Sequence, residues 1–226
     1  SSLSLYQRQQ NQEGEATVLN NTGIAYQRLG QYSRALELYE KSLSIARELD
    51  SPLYEARILD SIGQTYQQLD NLSLSLDAYQ QSLAIKRGLT DREGEAETFS
   101  NIGYLFAAQN QPAPAVIFFK VAVNIYEEIR DNNFDLSEQL QISYTNSIES
   151  SYRSLADLLL AQGRILEAQQ VLELLKVEEL REFTRATYRN GELQYDSVEQ
   201  PVVDAHDSLI NFGSQIHACG QTCAPA

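Results

Sequence analysis

NNTGIAYQRLGQYSRALELYEKSLSIARELD, residues 20–50, and SIGQTYQQLDNLSLSLDAYQQSLAIKRGLT, residues 61–90, are two copies of one skeleton. Superposed at a shift of forty, residues 13–50, 53–90 and 93–130 align without a gap. Glu15/Glu55/Glu95, Ala16/Ala56/Ala96, Gly23/Gly63/Gly103 and Ile45/Ile85/Ile125 are identical columns, and Tyr26/Tyr66/Phe106 and Tyr39/Tyr79/Phe119 keep an aromatic ring. Carried backwards, the same shift puts Leu3 over Leu43 and Leu5 over Ile45, so residues 1–12 read as the second helix of an earlier, truncated repeat.

Inside each unit, apolar positions recur at helical spacing on both sides of a short polar break at Leu29-Gly30-Gln31, Leu69-Asp70-Asn71 and Gln109-Asn110-Gln111. The pattern predicts a first helix over about 13–29 and a second over 33–49, with Gly30, Asp70 and Asn110 at the turn. A glycine inside a helix costs about 1 kcal/mol relative to alanine, so Gly23 and its equivalents belong where a partner helix leaves no room for a Cβ. Ala35 is the small counterpart on the second helix, and Tyr26 and Tyr39 fill the space beside them. Gly63→Leu is therefore expected to disrupt its repeat, and a change at Gln67, expected to be exposed, to be silent.

Composition narrows the function classes. Thirty-one acidic against 17 basic side chains give a net charge of -14, a field that repels phosphate backbones and excludes nucleic acid as the expected partner. Leu, Ala, Glu and Gln dominate, and only five prolines interrupt them, so an all-α protein is expected. No apolar run approaches the roughly 20 residues of a membrane span. The cytoplasm is the expected compartment.

Gly23, Tyr26, Gly30, Tyr32, Ala35 and Tyr39 fall where the tetratricopeptide repeat places Gly, Tyr, Gly, Tyr, Ala and an aromatic, and the chain resembles that family. Later units depart from the pattern: Asp70 and Leu72, then Asn110 and Pro112, replace the second glycine and tyrosine. A period of forty is similar to the longer-helix variety found in kinesin light chains and bacterial signalling proteins. The resemblance implies a right-handed α-α superhelix, a solenoid of repeats at 13–50, 53–90 and 93–130.

Beyond Arg130 the period fails but paired helices persist. Leu136, Leu140, Tyr144, Ile148, Tyr152, Leu155 and Leu159 lie close to one helical face, Gly163 ends that helix, and a second follows with Ala168 and Leu172 in the columns of Ala35 and Tyr39. Residues 134–185 thus form a long closing hairpin, and 186–226 a linker or tail expected to be mobile or loosely docked. YRSLADLLLAQGRILEAQQVLELLKVEELREFTR, 152–185, resembles the segment that closes the array in bacterial, especially cyanobacterial, proteins carrying a caspase-like CHAT domain. That resemblance implies a covalently attached peptidase downstream of Ala226, with this chain as its sensing or docking arm.

Chemistry within the chain itself is not expected. His206, His217, Cys219 and Cys223 all lie in the irregular tail, without the supported base and oxyanion site that a cysteine nucleophile needs. His217, Cys219 and Cys223 offer three metal ligands at uneven spacing and no fourth nearby, below a structural zinc signature. No catalytic residue, metal or cofactor is assigned. Glu15, Glu55 and Glu95 read as acids favouring the positive ends of first helices.

The family's concave wall is built mainly by first helices. Mapped onto this chain, it selects Thr17, Asn20, Asn21, Ile24, Gln27 and Arg28, then Arg57, Asp60, Gln64, Gln67 and Gln68, then Glu97, Ser100, Asn101, Tyr104 and Ala108. Amide side chains there suit hydrogen bonding to a peptide main chain, and Arg57 with Asp60 are expected to set the register of an extended segment. The expected partner is a protein or peptide. Two other readings stand beside it: an assembly scaffold that self-associates, and a receptor for a small signalling peptide.

Overall fold

The computed structural model describes residues 2–132, 138–180, 193, 195–196 and 198–208 of the 226; side chains are described over 11–132, 148–175 and within the last group. The described residues form α1 (Ser2–Arg28), α2 (Tyr32–Glu48), α3 (Pro52–Gln68), α4 (Leu72–Gly88), α5 (Arg92–Ala108), α6 (Pro112–Asn132), α7 (Glu138–Ala161) and α8 (Ile165–Leu180), with a further helical run over 199–208. No strand occurs among them. They gather into two compact units, one carrying α1 to α4 and ending at Asp91, the other spanning Arg92–Ser208 with α5 to α8.

Each unit is made of antiparallel hairpins, α1 with α2 and α3 with α4 in the first, α5 with α6 and α7 with α8 in the second. The glycine column sets the closeness of the first three. A Cβ on Gly23 would stand 2.6 Å from Tyr39, one on Gly63 2.6 Å from Tyr79, and one on Gly103 2.9 Å from Phe119. What excludes the Cβ is thus the flat ring of the second helix, and all three rings are fully buried. Alanine and serine in the facing column do approach the backbone: Ser75 Oγ, in the place of Ala35, donates to the Gly63 carbonyl at 2.8 Å. Packing between hairpins of the first unit runs through α2 and α3, where Arg47 Nε meets Glu55 Oε1 at 2.7 Å and Ala46, Ile58 and Ile62 share one apolar cluster. Glu55 is therefore a buried ion-pair partner, a more specific role than a dipole acid.

The turns repeat one device. In each, the third residue beyond the helix reaches back five positions: Gln31 N–H to the Tyr26 carbonyl at 2.9 Å, Ser51 to Ala46 at 3.0 Å, Asn71 to Tyr66 at 2.9 Å, Asp91 to Lys86 at 2.9 Å and Gln111 to Phe106 at 2.9 Å. The residue between is left-handed in all five: Gly30, Asp50, Asp70, Thr90 and Asn110 have φ of 72°, 50°, 54°, 55° and 54°. The turn residues expected at 30, 70 and 110 are in place. Thr90 is the misfit, because a β-branched residue is strained at positive φ. Thr90→Gly is expected to raise the urea midpoint, adding about 1 kcal/mol of stability. A lower midpoint would mean that the Thr90 Oγ1 bond to the Leu89 carbonyl, 2.6 Å, outweighs the strain.

One expectation is corrected. α1 runs without a break from Ser2 to Arg28, so the turn expected near residue 12 does not form. Gln9, Gln10, Asn11 and Gln12 include neither glycine nor proline, and extending an existing helix adds one hydrogen bond per residue fixed. Of the tail, residues 193, 195–196 and 198–208 are described, and they pack in the second unit against α5, α6 and Arg164, which immediately precedes α8, with Leu193 and Glu199 buried. The closing hairpin is present as α7 and α8, with Gly163 at φ 74° between them and Ala168 fully buried. Residues 133–137, 181–192 and 209–226, with His217, Cys219 and Cys223, lie outside the described residues.

Candidate functional site

The outward stripe of each first helix is read by exposure at spacing i, i+4, i+7, i+11. On α1 it carries Thr17, Asn21, Ile24 and Arg28; on α3, Arg57, Ser61, Gln64 and Gln68; on α5, Glu97, Asn101, Tyr104 and Ala108. In every helix the first and last of these are exposed, as is Asn21, while Ile24, Ser61, Gln64, Asn101 and Tyr104 are half-buried. Ile24 rests on the first unit's core, and Tyr104 meets Phe119 edge-on at 4.9 Å. Of the residues selected from sequence, Asn21, Ile24, Arg57, Gln64, Gln68, Asn101 and Tyr104 stand on this stripe, with Thr17, Arg28, Glu97 and Ala108 at its ends. Ser61 was missed, although it shares the column of Asn21 and Asn101.

The column one position earlier turns inward. Asp60 is only 9% exposed and receives Lys86 Nζ at 2.5 Å, with Lys86 1% exposed. Ser100 is buried and accepts from Ser151 Oγ at 2.9 Å. Asn20 is half-buried, and its Oδ1 is shut from solvent without a hydrogen-bond partner. The reason lies in the facing column of the second helix, which reads Ala46, Lys86, Tyr126. Asp60 has a lysine there, the Ser100 hydroxyl bonds the side chain of Tyr126, and Asn20 meets an alanine that offers nothing. Asp60 is thus an interior ion pair that joins α3 to α4. Its expected partnership with Arg57 in fixing a bound segment does not hold, and Asn20 and Ser100 leave the surface set with it.

A second column is also structural. Tyr39 Oη donates to Gln27 Oε1 at 2.8 Å and Tyr79 Oη to Gln67 Oε1 at 3.4 Å, while Phe119, which has no hydroxyl, stands opposite Ala107. Burial pushes the Tyr39 hydroxyl up to about 12 against the opposing bonds of Ser61 and Thr65, so it remains a proton donor throughout the physiological range. Burial and then the Asp60 carboxylate raise Tyr79 in the same direction. Gln27 and Gln67 accept from the tyrosine that fills the glycine seat, and Gln67, expected from sequence to be exposed, is half-buried.

Electrostatically the α3 stripe carries a single positive charge once Asp60 is spoken for: one guanidinium, one hydroxyl and two amides over three turns. The arrangement offers donors and acceptors to a main chain, and among the described residues no group of His, Cys, Asp and Glu is placed to hold a metal ion. No described helix is long and apolar enough to cross a membrane. His206, set aside as a catalytic residue on sequence grounds, packs against the rings of Phe99 and Phe118, with centroids 5.5 and 4.9 Å away.

The family profile described as Tetratricopeptide repeat matches residues 1–48 and 53–128, more than half of the chain. Among solved structures, the crystal structure of BtubC (BKLC) from P. vanneervenii is similar at 20% identity and a TM-score of 0.58, over 80% of this chain and 70% of that one. At that identity the likeness is one of fold. No curated protein matches the chain.

Proposed function

From the premise that the chain belongs to the tetratricopeptide-repeat family, we propose that the stripes of its first helices receive an extended segment of a protein partner, and that it is the interaction arm of a larger caspase-like CHAT protein. Tetratricopeptide repeats are a non-catalytic scaffold fold that mediates protein–protein interaction. The observation that supports the surface is the α1 and α3 stripe of the first unit, where Asn21, Arg57 and Gln68 are exposed at helical spacing while Gln27 and Asp60, one position before the stripe, are engaged in packing. A side-chain amide pairs with a peptide N–H and C=O with little regard to the peptide's sequence, and one guanidinium adds a preference for a carboxylate. The CHAT association rests on the resemblance of 152–185. A reading frame that continues past Ala226 into a caspase-like domain supports it, and one that continues into an unrelated domain contradicts it.

Peptides selected from a displayed random library on the full chain provide the probe. Replacing Asn21, Arg57 and Gln68 together by alanine is expected to weaken the selected peptides tenfold or more, roughly 1.4 kcal/mol, without changing helix content. Glu40→Ala, an exposed position on α2, should leave binding unchanged. Equal affinity for the triple variant and the parent would place the contact elsewhere.

A further inference from the structure

The second unit already holds a peptide, which is its own chain. Asn124 of α6 accepts from the Leu193 N–H at 2.7 Å and donates to the Leu193 carbonyl at 2.9 Å, reading both main-chain groups of one residue. Six residues on, Glu199 is 5% exposed and receives Lys120 Nζ at 2.9 Å and Arg164 Nη2 at 3.0 Å. Between these anchors, Asp196 Oδ1 accepts from the N–H groups of Val198 and Glu199, and the Asp196 N–H donates back to Glu199 Oε2 at 3.0 Å. This reciprocal cap starts the helical run 199–208, whose His206 reaches Phe99 and Phe118. Residues 191–208 hold five acidic side chains and no Lys or Arg.

We propose that this face of α6, together with Arg164 just before α8, is a binding site for an acidic, self-capping peptide segment, filled in the resting chain by residues 193–208 and open to the same kind of segment supplied in trans.

Three features make the occupant exchangeable. Of its described apolar side chains only Leu193 is buried, and Val198 and Val202 are 75% and 41% exposed, so little apolar area opposes release. Nor does release orphan a buried charge. Lys120, itself 1% exposed, keeps Glu167 Oε2 at 2.8 Å, and Arg164 keeps both Glu167 oxygens at 2.6 Å. The hydrogen bond from Arg164 leads in holding the Glu167 carboxyl down to about 2, so that it stays ionised to keep both cations. With the segment gone, Lys120, Arg164 and Glu167 together carry one net positive charge beside an unengaged Asn124 amide, which favours another acidic segment and disfavours a basic one.

This site is separate from the first-helix stripes, and its test fails independently of theirs. The probe is a fluorescein-labelled synthetic peptide of residues 191–208, titrated by fluorescence polarisation into the full chain. Parent chain should bind weakly, because the tethered segment competes at an effective concentration of order mM. Glu199→Lys in the chain places a third cation beside Lys120 and Arg164 and releases the tether. It is expected to speed amide exchange over 193–208, leave helix content nearly unchanged and tighten capture of the peptide at least tenfold. The milder Glu199→Gln should follow in the same order, and adding Asn124→Ala to either should abolish the gain, whereas the stripe substitutions should not. Faster exchange without any capture of the peptide would overturn the proposal by showing a fold element with no site beneath it. Unaltered exchange in both variants would overturn it equally, since the segment would then not be releasable.

Discussion

Asp60→Ala is expected to destabilise the first unit by about 3 kcal/mol, because it removes one partner of a buried ion pair. Lys86 is the charge left behind, at 1% exposure and 2.5 Å from the Asp60 carboxylate in the intact chain. Equilibrium urea unfolding measures the loss. The double replacement Asp60→Leu with Lys86→Met should recover most of it, because a buried ion pair gains little over apolar side chains of similar volume once desolvation is counted. A loss below about 0.5 kcal/mol in the single variant would show that Asp60 faces solvent after all, and would return it to the binding stripe.

Gly63→Leu should follow with a loss of about 3 kcal/mol, at the upper end of the overpacking range. Its Cβ alone would lie 2.6 Å from Tyr79 Cε1, and the ring has nowhere to go: Tyr79 is fully buried and its hydroxyl reaches Gln67. Gly88→Ala supplies the control. It meets nothing within 4 Å, lies at an exposed helix end, and should be neutral or slightly stabilising. Unchanged melting of Gly63→Leu would mean that the glycine column is not the seat of the aromatic column.

The forty-residue shift made the hairpins legible because each Gly–aromatic pair is a local, repeated contact whose two members are read sixteen residues apart in every copy. The turns were legible for the same reason, since a left-handed residue must follow each first helix and Gly30, Asp70 and Asn110 tolerate it. Polar partners across the two helices of a hairpin were harder to see. Asp60 looked like a surface charge because its partner Lys86 lies on another helix, 26 residues away. The signal was present in the covarying columns Asn20/Asp60/Ser100 against Ala46/Lys86/Tyr126, and again in Gln27/Gln67/Ala107 against Tyr39/Tyr79/Phe119. Where the tyrosine hydroxyl disappears, so does the glutamine. Exposure along α3 moves the charged stripe by one residue, from Asp60 to Ser61.

How the described part of the tail is held was not legible, for a different reason. Its polar composition and glycines argue for a loosely held end, and composition registers apolar burial far better than it registers a main-chain clamp. Asn124, Lys120 and Glu199 are up to 79 residues apart, and no periodicity links them. The Asp196–Glu199 capping box was the one readable sign that a helix begins there.

Position-specific photo-cross-linking tests most directly whether partners meet the chain on its first-helix stripes. A photoreactive side chain would replace Gln68 on α3 in one full-length variant and Glu40 on α2 in another, with both irradiated in the same extract of the source cells. The account predicts a discrete adduct of higher mass from position 68 and none from position 40, with the adduct at 68 lost on competition by a peptide selected against the parent chain. Adducts from position 40 alone, or adducts at 68 composed only of a second copy of this chain, would contradict it and leave self-assembly as the better reading of the array.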